Sequence, residues 1–474
     1  MLIGRHPETT ALRSALTSDK GEMVAVIGRR RVGKTFLVNE VLGEHIVLQQ
    51  TGVRHAPAER QLRTFTNKLS LLAGKQIPEV KDWLDAFFQL RLVLEPLLDP
   101  EKKAVLFFDE LSWLATPEGE FLDYLAHFWN DWGARQPIVI VLCGSVSSWI
   151  INKVINDKGG LHNRVTRYLH LKPFTLTETE AFLRARHVNF TRYQILQLYM
   201  AIGGIPLYLE DIKAGRSAAE NIDRLCFSQT GLLREEFSRL YPSLFDDARN
   251  HIEVVRTLAE HPRGLSRTEI ITNSSVANGG VASRVLEELE QSDFIMAYEP
   301  FGKKKHGKVY RLIDEYTHFY LRFIERNNKS GEGTWMQISR QHSYKIWGGY
   351  AFEGVCMQHV PAIKKALGIS GVYTNTYSYQ KTAKNDEPGV QVDMLLERAD
   401  KVINLFEIKF YAEEWAMTAG QAELLRQRIE RFKRYTKTKQ QVIPVVISYA
   451  GLREGKYSLG LVGQSFTGDV LFLE

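Results

Sequence analysis

The stretch EMVAVIGRRRVGKTFLVNEVL, residues 22 to 42, restricts the possible folds of this chain more than any other. After Glu22 it runs apolar for five residues, as a strand covered on both faces does. It then passes through GRRRVGKT and continues with apolar positions at helical spacing. Gly28 to Thr35 fits the pattern G-x-x-x-x-G-K-[ST] with no substitution. Strand, glycine loop and helix in that order form an anion cradle. The backbone N–H groups of Gly28, Arg29, Arg30, Arg31, Val32 and Gly33 are expected to close around phosphate, and the helix dipole favours negative charge there. Lys34 is expected to reach the β- and γ-phosphates of ATP, and Thr35 to hold Mg²⁺.

Two further apolar runs complete this reading. AVLFFDE, 104 to 110, ends in two acids, as a central parallel strand facing a cation would. Asp109 is expected to bind Mg²⁺ through water, and Glu110 to act as the base that polarises the attacking water. PIVIVLCGS, 137 to 145, ends in small polar residues. There Ser145 is either a sensor of the γ-phosphate or a simple strand-ending turn.

The segments LIGRHPET, GRRRVGKT, VLFFDE, VLCGSVSSW, LHNRVTRYLHLKPF and GGIPLYL follow one another in the order seen in the archaeal-type ATPase family. That family is a branch of the AAA+/STAND P-loop NTPases, and residues 1 to 240 resemble it. The resemblance implies an α/β fold: a five-stranded parallel sheet over 1–172, then a helical lid over 173–244. It places Gly4 and Arg5 near the adenine and makes GGIP, Gly203 to Pro206, the turn of the lid. It also makes Arg164 a γ-phosphate sensor or finger, although this chain has His162 and Asn163 where the family carries an aromatic residue and glycine.

From 245 to 326 the pattern is three helices and a basic hairpin, the winged-helix arrangement. LSRTEI opens the second helix with a Ser266–Glu269 capping box. Lys303, Lys304, Lys305 and Lys308 fall on the wing and Arg284 on the third helix, so DNA phosphate is an expected partner. The alternative is an internal regulatory lever whose lysines are merely solvated. NNKSGEGT, 327 to 334, reads as a linker.

INLFEIKF, 403 to 410, carries Glu407 and Lys409 on one face of an otherwise apolar strand. VQVDMLLE upstream holds Asp393, and RADKV between them suits a hairpin that sets Asp393 against Glu407. Two carboxylates beside a lysine suit a hard divalent cation and a polarised water. Glu353, near the start of a helix read over WGGYAFEGVCMQHVPAIKKAL, is a further candidate ligand. Helix, strand with Asp, strand with E-x-K and helix over 340–474 resembles the PD-(D/E)xK nuclease fold, which implies a metal-dependent nuclease using Mg²⁺ or Mn²⁺. The basic helix LLRQRIERFKRYTK is either a nucleic-acid contact or a solvated face.

The expectation is an ATP-binding and ATP-hydrolysing enzyme coupled to a nuclease domain, compatible with defence or mobile-element biology. The alternative is an ATP-dependent regulatory or DNA-binding switch whose nuclease-like domain does not cut. The net charge of +6 agrees with an anionic partner. Three cysteines with no CxxC pair argue against a disulfide framework or zinc site. No apolar run approaches the ~18 residues that a membrane helix needs. A cytoplasmic protein, with self-association open to it, is expected.

Overall fold

Strand β1 (Glu22–Ile27) is buried along its whole length, which requires a central place in a sheet covered on both faces. The computed structural model describes residues 2–116, 119–156, 159–302, 307–327, 331–383 and 387–473. The chain divides into two compact units, 1–173 and 174–474. In the first, β1 lies between β4 (Ile138–Gly144) and β5 (Arg167–His170), with β3 (Ala104–Asp109) and β2 (Ile46–Thr51) beyond β4. All four pairings are parallel. Parallel pairing brings the carboxyl ends of β1, β3 and β4 to one edge, where ligands of open α/β sheets bind.

The helices cover that sheet for sequence reasons. α1 (His6–Leu16) precedes β1, and α2 (Lys34–Leu42) follows the glycine loop. The N-cap of α2 is Gly33 in the left-handed region, and no side chain caps the helix. Between β2 and β3 run α3 (Ala58–Ala73) and α4 (Trp83–Leu94). Their inner faces join an aromatic cluster of Phe65, Trp83, Phe87, Phe108 and Phe121. These rings bury large apolar areas and dominate the core on that side.

The second unit begins with helices over 176–243. Its turn at Gly203–Gly204 is packed tightly: the Gly204 carbonyl accepts from Phe174 N at 2.7 Å, and a Cβ on Gly204 would lie 2.0 Å from the Phe174 oxygen. Next come the helices Arg249–Glu260, Arg267–Thr272 and Gly280–Gln291. They carry a small antiparallel sheet of β6 (Leu265–Ser266), β8 (Val309–Leu312) and β7 (Ile295–Tyr298). The Ser266–Glu269 capping box is formed. Beyond residues 328–330, Asp223 accepts from Gly333 N at 2.6 Å and Trp335 N at 2.7 Å, which ties the chain back onto the helices.

The last part is a five-stranded sheet of order β15-β13-β11-β10-β9. Here β9 (Thr374–Lys381), β10 (Val390–Arg398) and β11 (Val402–Lys409) are antiparallel. The strands β13 (Gln441–Ser448) and β15 (Gln464–Phe466) continue it in parallel. Two-residue strands β12 (Trp415–Ala416) and β14 (Leu452–Arg453) pair separately. The helix Ala419–Thr436 makes the crossover from β11 to β13. The helix carrying Glu353 runs over His342–Gln358, breaks at His359 and restarts at Val360–Ala366. Glu353 therefore sits well inside it rather than near its start, because the helix begins at His342, ahead of the Gly348–Gly349 pair.

The small sheet is attached to the large one. Phe301, just past β7, donates its N–H to Ser378 O on β9, and its ring packs on Tyr377 and Phe432. The chain just past β7 is thus anchored to the large sheet, while Lys303, Lys304 and Lys305 lie outside the described residues. Phe301→Ala should remove about 1–2 kcal/mol of apolar burial. Hydrogen exchange at the amides of Tyr377–Tyr379 should then accelerate about tenfold. Unchanged exchange there would show that the ring anchors nothing.

Candidate functional site

Gly28 leaves β1 at φ 145°, and a Cβ there would lie 2.2 Å from the Leu171 oxygen, so only glycine lets the loop turn this close to the strand behind it. The loop closes on its own lysine. Lys34 Nζ donates to the carbonyls of Gly28 at 2.7 Å and Arg29 at 3.0 Å. Burial pushes its ammonium below the ordinary value, against the pull of Glu110 and Asp109. Thr35 Oγ1 donates to Asp109 Oδ2 at 2.8 Å, and Asp109 Oδ1 accepts from Glu110 N at 2.9 Å. Glu110 has left-handed backbone at φ 48°. This turns its side chain to Ser145, whose hydroxyl donates to Glu110 Oε2 at 2.8 Å. Arg5 reaches the loop as well, donating to Val32 O at 3.3 Å and Lys172 O at 2.7 Å.

The second cluster lies on the large sheet of the second unit. The β10–β11 ladder ends with Met394 paired with Phe406, so Asp393 and Glu407 are the next residue on each strand. Glu407 is buried and held by two cations, Lys409 Nζ at 2.8 Å and an Arg428 guanidinium on the crossover helix. Burial works against the charge of Lys409, but Glu407 outweighs it and raises the ammonium above its ordinary value. Asp393 accepts from Gln391 at 2.8 Å. Glu353 pairs with Arg311 of β8 at 3.5 Å. That guanidinium is itself buried and also donates to Tyr350 O at 3.3 Å. Burial first, then the charge of Asp393, pushes Glu353 up to about 7, while Arg311 and Lys409 oppose the rise.

A family described as an "ATPase domain predominantly from Archaea" matches residues 2–212. The chain carries an archaeal-type P-loop ATPase domain. An uncharacterized protein of Methanocaldococcus jannaschii is 22% identical over 417 residues, covering 86% of this chain and 88% of that one. Among solved structures, the Walker-type ATPase of Pyrococcus abyssi is similar at 16% identity and a TM-score of 0.49, over 68% of this chain and 96% of its own. The ORC2 protein of Aeropyrum pernix is similar at 18% identity and a TM-score of 0.41, over 69% and 94%.

In the ATPase domain the structure brings together Gly28, Gly33, Lys34, Thr35, Asp109, Glu110 and Ser145. It buries Arg29 and leaves Arg30 exposed. Arg164 does not join them. It is exposed three residues before β5, whose first residue pairs with Val24, so it lies toward the amino-terminal edge of the sheet and the loop lies at the other. Among the described residues no group of three or more His, Cys, Asp or Glu is arranged to hold a metal ion. Glu353, Asp393 and Glu407 are therefore not gathered as three ligands, because arginines occupy two of them. Arg284 and Lys308 are exposed. Arg311 and Phe301 had no signal in the sequence beyond their residue types.

Glu353 offers a test of this electrostatic arrangement. Its folded value near 7 stands above the ordinary 4.5, so its contribution to stability is fully present below about pH 4.5 and is lost as pH rises through 7. The loss is about 3 kcal/mol at about 1.4 kcal/mol per pKa unit. Urea unfolding from pH 4.5 to 8 should show this fall in the wild type, and Glu353→Gln should flatten it. An equal slope in both would assign the pH dependence to other groups.

Proposed function

We propose that the ATPase domain hydrolyses ATP with its phosphates held by the backbone of Gly28–Gly33 and by Lys34, and Mg²⁺ held by Thr35 and Asp109. The observation that carries this reading is the 2.8 Å hydrogen bond from Thr35 to Asp109. A hydroxyl and a carboxylate that would share one hard cation already converge beside the loop. The donor set fits, since both are oxygen ligands and a Cβ at Gly33 would meet open space. Bound there, Mg²⁺ would neutralise charge on the phosphates. Glu110 is the base that draws the proton from water, and Ser145 aims its carboxylate. Lys34→Ala should abolish nucleotide binding, measured with a fluorescent ATP analogue. Glu110→Gln should keep binding while turnover drops about 10²- to 10⁴-fold. Wild-type turnover in Glu110→Gln would remove Glu110 from that role.

A second reading concerns the large sheet, and the place of Asp393 and Glu407 just past the paired ladder, beside Lys409, favours it. On this reading the site cuts nucleic acid with Mg²⁺ or Mn²⁺, with Lys409 offsetting charge on a phosphate oxygen. Arg428 would then yield Glu407 to the metal. Arg284, Lys308 and Lys303–Lys305 would contact DNA phosphate. The pairing of Glu353 with Arg311 favours the rival, a nucleotide-dependent switch whose nuclease-like domain does not cut. Asp393→Asn, Glu407→Gln and Lys409→Met should each abolish Mn²⁺-dependent cleavage and leave ATP turnover unchanged. No cleavage of duplex or single-stranded DNA or RNA by the wild type, with or without ATP, decides for the switch.

A further inference from the structure

Helix α4 is apolar on the face that ordinarily meets water. Trp83, Ala86, Phe87, Leu90, Val93 and Leu94 point into the core. On the opposite face Leu84, Phe88 and Leu92 are 44%, 56% and 49% exposed. They follow one another at i, i+4 and i+8, so they form one continuous stripe. A core helix gains nothing from such a stripe, and large side chains aligned in solvent mark an interaction surface.

The sequence around the stripe is symmetric about Phe88. Leu84 and Leu92 stand four residues to either side, Asp85 and Arg91 three, and Lys81 and Glu95 seven. A second copy of α4 laid antiparallel across a two-fold axis at Phe88 therefore sets leucine level with leucine, and Asp85 level with Arg91. Asp85 then lies within one side chain's reach of Arg91 of the second copy. Leu84, Asp85, Arg91 and Leu92 lie on the helix within about 60° of Phe88, at 3.6 residues per turn. The charged frame is held ready. Arg91 is bonded to Glu95 at 2.8 Å and to Asp131 at 3.3 Å, with its guanidinium over the Trp132 ring. Exposed charge pairs add little affinity, but they fix register and orientation.

From this self-complementarity we infer that α4 is an isologous interface at which two copies of the chain associate through Leu84, Phe88 and Leu92. Three side chains from each copy make a seam smaller than the ~1,200 Å² of a standard interface, so the dimer forms reversibly with concentration. It is independent of the chemistry assigned to the phosphate loop.

The test uses the full chain. Sedimentation velocity between about 1 and 100 μM should show the wild type passing from monomer to dimer. Phe88→Asp should weaken that association at least tenfold while ATP turnover per chain is kept, which shows that the variant is folded. Register is read by oxidation. Phe88→Cys lies on the two-fold axis and should form an intermolecular disulfide rapidly. Leu84→Cys should not, because its own copy lies eight residues away along the seam, about 12 Å. Cys143, Cys226 and Cys356 are buried and do not compete. A wild type that stays monomeric to 100 μM, a dimer that survives Phe88→Asp, or equal cross-linking of the two cysteine variants overturns the inference.

Discussion

Lys34 carries a positive charge into the interior of the ATPase domain, and the surrounding geometry follows from satisfying it. An ammonium removed from water is costly unless oxygen surrounds it. The oxygens come from two carbonyls of the loop and, at longer range, from the carboxylates that end β3. For the carbonyls to turn inward the loop must bend sharply at Gly28, where a side chain would strike Leu171. For the carboxylates to face it, β3 must lie two strands from β1, with its carboxyl end at the same edge. Strand order, loop conformation and the two acids are thus parts of one solution to one buried charge. Arg5 fastens the loop by taking the Val32 carbonyl.

The second unit solves the converse problem. Glu407 and Glu353 are carboxylates with little access to water, and arginines from other elements meet them. Arg428 approaches from the crossover helix and Arg311 from the small antiparallel sheet. A buried pair of this kind contributes little net stability, yet breaking it by removing one partner costs on the order of 3–5 kcal/mol. The pairs therefore act as locks between elements. Arg311, with the ring of Phe301 on Tyr377 and Phe432, couples the small sheet to the large one.

What the sequence made legible follows from how local each feature is. The phosphate loop, the Asp109–Glu110 strand end and the Ser266–Glu269 cap lie in short contiguous stretches whose residue types determine their conformation. The β10–β11 hairpin was legible for the same reason, since only the five residues RADKV separate two patterned stretches, and the strands themselves take up the first and last of these. The partner of Glu407 was not. Arg428 stands in a helix of many charges, and nothing in its spacing separates it from Arg426 or Arg431. Arg311 lies in a four-residue strand, 42 residues from Glu353, and only the packing of β8 on the Glu353 helix brings them together. The bounds of that helix were missed because the Gly348–Gly349 pair reads as a helix start, whereas burial of Tyr344 and Trp347 extends it backward. Strand β9 escaped because its TNTYSYQK sequence is largely polar, as an edge strand can be.

One contrast among the helices remains. The helices beginning after Thr175, Thr191, Ser217, Ser266 and Thr418 each close their first turn with a capping box, so their leading amides are satisfied by the chain itself. α2 starts from Gly33 and, like α1 and α3, has no side chain to do this. Its leading amides can donate to water or to an external acceptor, and phosphate is such an acceptor. The nucleotide would thus serve as the missing cap of α2, a structural part supplied from solution. The stability of the ATPase domain would then rise with the logarithm of nucleotide concentration, so that folding and occupancy are two readings of a single equilibrium.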